Sequence, residues 1–233
     1  INMDAAGNLY PGLATEWMWG ENNMSVVLTL REGVKFTNGD DFNADAVIFS
    51  LRDYRGKTAM GGDGESLFDF DNMVKLDDFK VEIPLKRAGS DALITLSDMV
   101  YSICSPKAAE ELGSEYANNP VGTGPYEFVS FVSGVGAKMV ANENYWGGAP
   151  SIKNVETVYI AEASVAQMEL EMGNVDWVTC PDNIDIQHIQ AGDIPGLTVM
   201  QMPAALVKNL WFNFRSEEHT SELQSPLIIS YAV

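Results

Sequence analysis

The sequence has few basic residues, few cysteines and histidines, and no long apolar run. Only 14 of its 233 residues are Lys or Arg, against 33 Asp and Glu, so its net charge at neutral pH is −19. An acidic surface of this kind repels the phosphates of nucleic acids and the anionic headgroups of lipids, so we expect neither as a partner. No apolar stretch approaches the ~20 residues that cross a bilayer, so we expect no membrane insertion of this chain.

The small number of cysteines and histidines excludes the common metal and redox motifs. Cys104 and Cys180 form no CxxC pair, and neither lies in a Cys/His cluster of the zinc-binding kind. We expect two free buried thiols, and their spacing leaves a disulfide between them open. His188 and His219 are too few for a His-rich metal site. The sequence therefore predicts no metal and no other cofactor.

Both ends of the chain are unusual. Residue 1 is Ile and no signal peptide is present, so we expect a processed or an artificial start. From Arg215 to Ser225 the residues can be written as eleven codons that resemble a common sequencing-library adapter. The alternative is a polar helix over 216–224 with Ser216 as its cap. We predict that residues 215–233 are a non-native tail and leave them out of the fold prediction.

Hydrophobic periodicity predicts strands and helices along the rest of the chain. Alternating apolar residues predict strands at 26–30 and 79–85, and Pro84 favours an edge position for the second strand. Caps at Asn43, Ser105 and Ser164 predict three helix starts. Gly113 and Gly173 end the second and third of these helices, and a further helix is predicted over 91–103. Additional strands are predicted at 126–131, 137–141, 155–160, 175–179, 197–202 and 207–214.

The order of these elements indicates the fold class. Strands alternate with helices in the second half of the chain, which favours an α/β sandwich with a mostly parallel sheet. The first half has the order of an α+β unit. The hydrophobic content of 46% is ordinary for a folded globular protein.

No catalytic motif has the spacing that its chemistry needs. Gly122-Thr123-Gly124-Pro125 lacks the third glycine of a dinucleotide loop, and a tight turn explains it better. The acidic stretch 69–72 lacks the glycine and glutamate of an EF-hand. Outside the tail only His188 could serve a Ser/His/Asp triad, and it lies on a short helix where a surface role is usual. Acidic pairs are numerous but have no distinguishing spacing. We therefore expect no enzyme, with a carboxylate-based hydrolase as the alternative.

Six segments, in order along the chain, resemble the family 5 extracellular solute-binding proteins of ABC importers, the oligopeptide, dipeptide and nickel group. Ala46 departs from this pattern, because the family usually has Asp there. The segments are 11–17 (PGLATEW), 28–39 (LTLREGVKFTNG), 44–51 (ADAVIFSL), 119–126 (NPVGTGPY), 142–148 (NENYWGG) and 168–176 (MELEMGNVD).

The resemblance implies an α/β fold like that of class II periplasmic binding proteins, present in part. Residues 1–118 would be an extra α+β subdomain of the first lobe, and 119–214 would be the α/β part of that lobe. The second lobe would be absent. Since the ligand of such a protein lies between two lobes that close like a hinge, we expect this half-cleft to bind poorly or not at all.

The resemblance also implies a function. The protein would capture peptides, or a related small solute, outside the cytoplasmic membrane and deliver them to ABC permease subunits. It would act as a monomer in the periplasm or another extracytoplasmic space, either free or lipid-anchored through residues upstream of Ile1. A nickel or oligosaccharide binder of the same family is the alternative, and the scarcity of His argues against capture of a bare metal ion. A sensor domain of a transcriptional regulator is a third possibility.

Within the first lobe, strand ends and the start of the hinge would line the cleft. Amide side chains there would bind a peptide backbone, and an indole would form an apolar wall. For Trp211 a position in the core is the alternative. The candidate ligand-binding residues are Thr179, Cys180, Pro181, Asn209, Trp211 and Asn213.

Overall fold

The computed structural model describes residues 1–4, 6–54, 66–179 and 183–200. All of them lie in the first of two compact units, Ile1–Gln201. The second unit, Met202–Val233, lies outside the described residues, as do the predicted strand 207–214 and the predicted tail.

The described residues form nine strands and five α-helices. The strands are β1 (Asn2–Met3), β2 (Leu9–Tyr10), β3 (Ala14–Trp19), β4 (Ser25–Leu30), β5 (Val74–Asp77), β6 (Lys80–Pro84), β7 (Tyr126–Val132), β8 (Gly136–Ala141) and β9 (Asn154–Val158). The helices are α1 (Ala44–Ile48), α2 (Ala92–Thr95), α3 (Pro106–Leu112), α4 (Ala163–Glu171) and α5 (Asn183–Ala191).

Strand β4 lies inside a four-stranded antiparallel sheet with the strand order β3-β4-β6-β5. Its residues Val26, Leu28 and Leu30 are buried, whereas Val27 and Thr29 are only half-buried. The alternation predicted for this strand is confirmed. The main hydrophobic core lies on the buried face of the sheet, where α1 packs against β5 and β6.

The predicted edge position of the strand that contains Pro84 is wrong. Strand β6 is paired on both sides, with β4 and with β5. Pro84 is accommodated because it is the last residue of β6, opposite Ser25 at the end of the sheet. Its carbonyl accepts a hydrogen bond of 2.8 Å from the backbone N–H of Asp69. A proline at a strand end removes no ladder hydrogen bond from the middle of the sheet.

Two glycine turns and a helix cap of the first half lie where the sequence predicts them. Gly33 and Gly39 have φ angles of 73° and 89°, which favour glycine, on either side of a short hairpin-like stretch. Asn43 then caps α1, since its Oδ1 accepts a hydrogen bond of 3.2 Å from the Ala46 N–H. The predicted helix continues as π-helical turns over Phe49–Tyr54.

The single helix predicted over 91–103 is wrong. The chain forms the short helix α2 and then a 3₁₀ turn at Met99–Tyr101. Ser97 Oγ donates to the Ile94 carbonyl at 2.6 Å, and Asp98 Oδ1 accepts from the Val100 N–H at 3.0 Å. Such short polar side chains compete with the helical hydrogen bonds of the backbone, so the helix breaks here.

The first three of the six strands predicted after residue 119 are confirmed, but the mostly parallel sheet is not. Strands β7, β8 and β9 form an antiparallel sheet in that order. A tight turn joins β7 to β8, with Gly134 at φ 75° and a 3.0 Å hydrogen bond from the Val135 N–H to the Val132 carbonyl. A connection this short permits only antiparallel pairing.

One of the two helix starts predicted after residue 104 is confirmed. Ser105 caps α3 as predicted, but α4 begins at Ala163 with Glu162 at the cap position, so Ser164 is not its cap. Gly113 and Gly173 end α3 and α4, as predicted.

Residues 175–179 and 197–200 are not strands. A strand needs a hydrogen-bonded neighbour, and no strand among the described residues pairs with these two segments.

Candidate functional site

Of the six predicted ligand-binding residues, the structure describes only Thr179. It is exposed in the irregular segment that follows α4. Trp177, two residues earlier, is 69% exposed. Cys180, Pro181, Asn209, Trp211 and Asn213 lie outside the described residues, so the grouping of the six side chains stays a prediction.

A cavity of about 580 Å³ lies in the described unit. Its volume is within the range of small-molecule pockets, roughly 300–1,000 Å³. Leu28 and Leu30 of β4 line it together with Phe42, which precedes α1, and Val47 of α1. These four side chains are buried, so the interior of the cavity is apolar.

The polar part of the lining comes from Asn2 and from two further chain segments. The stretch around the 3₁₀ turn contributes Ser97, the exposed Asp98 and Ser102, and the apolar Met99 beside them is 83% exposed. The tight turn 122–124 contributes Thr123, whose side chain makes no hydrogen bond to another described residue although Thr123 is only 8% exposed. An apolar pocket with a few polar groups is typical of ligand sites in proteins.

Hydrogen bonds to neighbouring segments hold the tight turn 122–124 in place. The Gly122 carbonyl accepts from the Thr37 N–H at 2.9 Å. The buried Asn142 donates from Nδ2 to the Gly124 carbonyl at 3.0 Å, and its own N–H donates to the Pro125 carbonyl at 2.8 Å. Hydrogen bonds on both sides of Thr123, to Gly122 and to Gly124, therefore hold this residue at the cavity.

Charge in the lining is low. Among the described residues that line the cavity, Asp98 is the one side chain with a formal charge, and none is Lys, Arg or His. Ile1 lines the same wall.

Three of the six motif segments meet beside the sheet. The guanidinium carbon of Arg31, at the end of β4, lies 4.4 Å from the centre of the Trp146 ring. Arg31 Nε donates to the Gly12 carbonyl at 3.0 Å. A cation over an indole face is favourable by ~0.5–1 kcal/mol or more, so this contact joins segments 11–17, 28–39 and 142–148.

Cys104 is a free, buried thiol, as the prediction of unpaired thiols requires for this residue. Its Sγ lies 3.4 Å from Ser50 Oγ, and burial raises the pKa of the thiol.

The one histidine in the described residues lies at the surface: His188 Nδ1 is exposed and lies 2.8 Å from Asp193 Oδ2, which agrees with a surface role. Among the described residues no group of His, Cys, Asp and Glu could hold a metal ion. In the same part of the chain, no helix has the length and apolar character that a bilayer span requires.

Comparison with known sequences identifies the family of this chain. The sequence model of the bacterial extracellular solute-binding proteins, family 5 (Middle), matches residues 8–227. The chain belongs to this family.

Individual relatives differ in the solutes for which they are named. The chain is 26% identical to di/tripeptide-binding protein 2 of Pseudomonas aeruginosa, over 91% of this chain and 44% of that protein. It is 30% identical to the glutathione-binding protein GsiB of Escherichia coli O1:K1, over 76% of this chain and 35% of that protein. A solved structure of a nickel ABC transporter protein from Bacillus halodurans matches with 28% identity and a TM-score of 0.68, covering 78% of this chain and 36% of that one. The chain thus spans less than half the length of each.

Sequence reasoning missed the cavity residues Asp98, Met99 and Thr123. A signal for the first two was present, because Ser97-Asp98 inside an otherwise apolar helical pattern can end a helix. Thr123 lies in a segment that was interpreted only as a tight turn. Its position at the cavity depends on hydrogen bonds from the distant residues Thr37 and Asn142 to the glycines on either side of it.

Proposed function

We propose that the protein is the substrate-binding component of an ABC importer and captures peptides or a related small solute. Membership of the solute-binding family carries this proposal. The relatives from Pseudomonas aeruginosa and Escherichia coli are named for di- and tripeptides and for glutathione, which is itself a peptide. The proposed solute is delivered to ABC permease subunits outside the cytoplasmic membrane. The protein would act there as a monomer, free or held by a lipid anchor upstream of Ile1.

The cavity supports binding rather than catalysis. Its polar groups are a carboxylate, an amide, hydroxyls and backbone groups around an apolar interior. A general acid and base pair would need two titratable side chains within reach of one substrate bond. Among the described residues that line the cavity the titratable side chains are one carboxylate, Asp98, and one phenol, Tyr101, with no His, Lys or second carboxylate to complete a general acid and base pair. We therefore propose that the chain has no enzymatic activity of its own.

Three further parts of the proposal concern sites and boundaries. Thr179, Cys180, Pro181, Asn209, Trp211 and Asn213 are proposed as additional ligand contacts. The proposed division is an extra subdomain over 1–118, an α/β part over 119–214 and a non-native tail over 215–233. A second lobe would complete the cleft. Hydrogen bonds such as that from Thr37 to Gly122 support close association of the first two parts.

The test uses the complete product of the source gene, which is this chain if the reading frame ends at Val233. Pools of di- and tripeptides are added, and the melting temperature and the peptide composition are both followed. A ligand that binds only the folded state raises the melting temperature, so we expect stabilisation with no peptide consumed. Peptide hydrolysis that disappears on substitution of an Asp or Glu would instead establish the hydrolase.

A variant pair tests the proposed contacts. We expect Trp211→Ala to weaken the affinity for a stabilising peptide by at least about tenfold, as removal of a buried aromatic contact does. Trp19→Ala, at the end of β3 and away from the residues that line the cavity, is the matched control. Equal affinities of the two variants would show that Trp211 does not contact the solute.

A further inference from the structure

The turn at Asn38 and Gly39 has a chemistry that solute binding does not use. These residues form the one Asn-Gly pair in the sequence, and both are exposed. We infer that Asn38 is a site of spontaneous deamidation in the folded protein, with the backbone nitrogen of Gly39 as the nucleophile. The inference goes beyond the proposed function, because it concerns a covalent change of the protein itself.

The side chain of Asn38 folds back over the peptide unit that follows it. Its Oδ1 accepts a hydrogen bond of 3.1 Å from the Asp40 N–H, and its Nδ2 donates to Asp40 Oδ2 at 2.6 Å. An asparagine that binds the backbone two residues further on forms an Asx-turn. This turn brings Asn38 Cγ toward the intervening backbone nitrogen, that of Gly39. The electrophile and the nucleophile are therefore neighbours in the native turn.

The surroundings of the Gly39 nitrogen favour the attack. As this nitrogen bonds to Asn38 Cγ, negative charge develops on Oδ1, and the Asp40 N–H that already donates to Oδ1 stabilises that charge. Gly39 has no Cβ to shield its nitrogen. Its chain neighbours aside, no atom of a described residue lies within 4 Å of the position that a Cβ would occupy. The turn is therefore open where the bond must form.

The reaction needs only water as a co-reactant. The Gly39 nitrogen gives up its proton and bonds to Asn38 Cγ, the Cγ–Nδ2 bond breaks, and the proton leaves with Nδ2 as ammonia. The product is a five-membered succinimide ring. Water then opens this ring in one of two ways. Addition at Cγ gives aspartate at position 38, and addition at the backbone carbonyl carbon gives isoaspartate, in which the chain runs through Cγ.

One hydrogen bond of the native turn opposes the reaction. The Gly39 N–H donates to the Phe36 carbonyl at 2.8 Å and must release it before the nitrogen can attack. A single hydrogen bond contributes little net free energy, so this one slows the reaction without preventing it. We expect the folded protein to deamidate about two- to tenfold more slowly than the unfolded chain.

Asn43 is a matched control in the same chain. Its Oδ1 accepts from the Ala46 N–H at 3.2 Å, three residues further on rather than two. The residue that follows it is Ala44, which is buried and carries a Cβ beside the nitrogen that would attack. We expect Asn43 to stay unchanged while Asn38 reacts.

Deamidation would also alter a contact between two motif segments. The Thr37 N–H, one residue before Asn38, donates to the Gly122 carbonyl at 2.9 Å. Isoaspartate adds one carbon atom to the backbone here, and both products add a negative charge next to Asp40, which is unfavourable. We expect the hydrogen bond from Thr37 to Gly122 to weaken in the deamidated protein.

The experiment follows the complete gene product in neutral buffer, folded and in concentrated urea. After digestion with trypsin, mass spectrometry follows the peptide between Lys35 and Arg52, which contains both asparagines. Enzymatic methylation of isoaspartate distinguishes the two products. We expect aspartate and isoaspartate at position 38 of the folded protein, at the reduced rate given above, and an unchanged Asn43.

A variant and a second measurement test the effect on the turn. Asn38→Gln is the unreactive control, because its longer side chain would have to close a less favourable six-membered ring. We expect hydrogen exchange of the Thr37 N–H to become faster as the parent protein ages and to stay constant in Asn38→Gln. Exchange that stays constant in the deamidated parent would overturn this effect.

The remaining outcomes bear on the reaction itself. An unchanged Asn38 in the folded protein would overturn the inference, whatever happens in urea. Conversion of Asn43 at the same rate would overturn the role assigned to the turn. Aspartate without isoaspartate would show that water, not the Gly39 nitrogen, attacks the amide. These measurements involve no solute, so their failure is distinct from failure of the proposed function.

Discussion

The two regions of the described unit, residues 1–118 and residues 119–200, differ in how they bury apolar side chains. In the first region β4, β6 and α1 enclose a core in which Val26, Val81 and Ile83 have no solvent exposure. In the second region the apolar residues of β7–β9 are less buried: Ala141 is the one that is fully buried, most others are half-buried, and Val129, Phe131, Val132 and Val158 are exposed. A sheet stabilises a fold when another layer covers its apolar face. The first region therefore supplies most of the hydrophobic stability of the unit, and the second depends more on hydrogen bonds.

The largest expected effect compares one phenylalanine from each region. Phe68 is 1% exposed, and its ring centre lies 5.1 Å from that of Phe70 and 5.9 Å from that of Tyr101. We expect Phe68→Ala to lower the free energy of unfolding by about 3–5 kcal/mol. Phe131 is 56% exposed, so Phe131→Ala should cost under ~1 kcal/mol. Urea denaturation measures both, and equal losses would contradict the comparison.

The next effect concerns a buried asparagine of the second region, whose side chain is hydrogen-bonded to two backbone groups. Asn142 is buried; it donates to the Gly124 carbonyl and accepts from the Asn144 N–H, both at 3.0 Å. Asn142→Ala leaves these two backbone groups without their partner, so we expect a loss of about 1–3 kcal/mol in urea denaturation. Asn154→Ala, at an exposed position of β9, is the control and should stay within ~0.5 kcal/mol of the parent. A neutral Asn142→Ala would show that this hydrogen bonding does not stabilise the second region.

A smaller effect compares two serines at helix starts. Ser105 Oγ accepts from the Ala108 N–H at 3.2 Å and donates to Asp40 at 3.2 Å. We expect Ser105→Ala to cost about 1 kcal/mol, the usual value for loss of an N-cap. Ser164 is exposed and does not cap α4, so Ser164→Ala should be close to neutral. Thermal unfolding of both variants decides the point, and a larger loss for Ser164→Ala would restore its predicted capping role.

The last effect is a dependence on pH in the first region. Burial raises the pKa of Tyr116 from 10.0 to about 12, and burial also raises the pKa of Cys104. A raised pKa in the folded state favours the protonated phenol. The stability that it contributes is complete below the unfolded value and is lost as the pH rises through the folded value. The free energy of unfolding should therefore fall between about pH 10 and 12.

Two tyrosine variants isolate this dependence. Tyr116→Phe should have a smaller alkaline slope and also a lower stability at neutral pH, since Tyr116 donates to the Val121 carbonyl at 2.6 Å. Tyr159→Phe, at an exposed position of the second region, should keep the parent slope. Parallel slopes in all three proteins would show that Tyr116 is not the group that titrates.

Local patterns predicted β4, β6, α1 and α3 of the first region, because the same residues decide both the pattern and the structure, whereas β1, β2, β3 and β5 were not predicted. Asn43 and Ser105 cap their helices as predicted, since a cap involves only neighbouring backbone groups. The internal position of β6 could not be inferred from Pro84, because it depends on which distant strands pair with β6. For β7 and β8 the predicted strands were right and the predicted direction was wrong, although the short turn at Gly134 that joins them is a local signal for antiparallel pairing.

The site was less predictable than the fold. Its lining comes from β4, α1, the turn at Asp98 and the turn at Thr123, which are separated by long stretches of sequence. No local spacing brings such residues together. The six residues predicted for the cleft depended on the family resemblance, and Thr179 is the one that the structure describes.

By itself the sequence determined the charge, the family and the positions of most strands and caps. These properties follow from composition, from short motifs and from hydrogen bonds between near neighbours. Only the tertiary structure decided that β6 is internal, that Arg31 lies on Trp146 and that Asp98 and Thr123 line one cavity. Contacts between distant residues arise from burial of the whole apolar surface, which no single segment specifies.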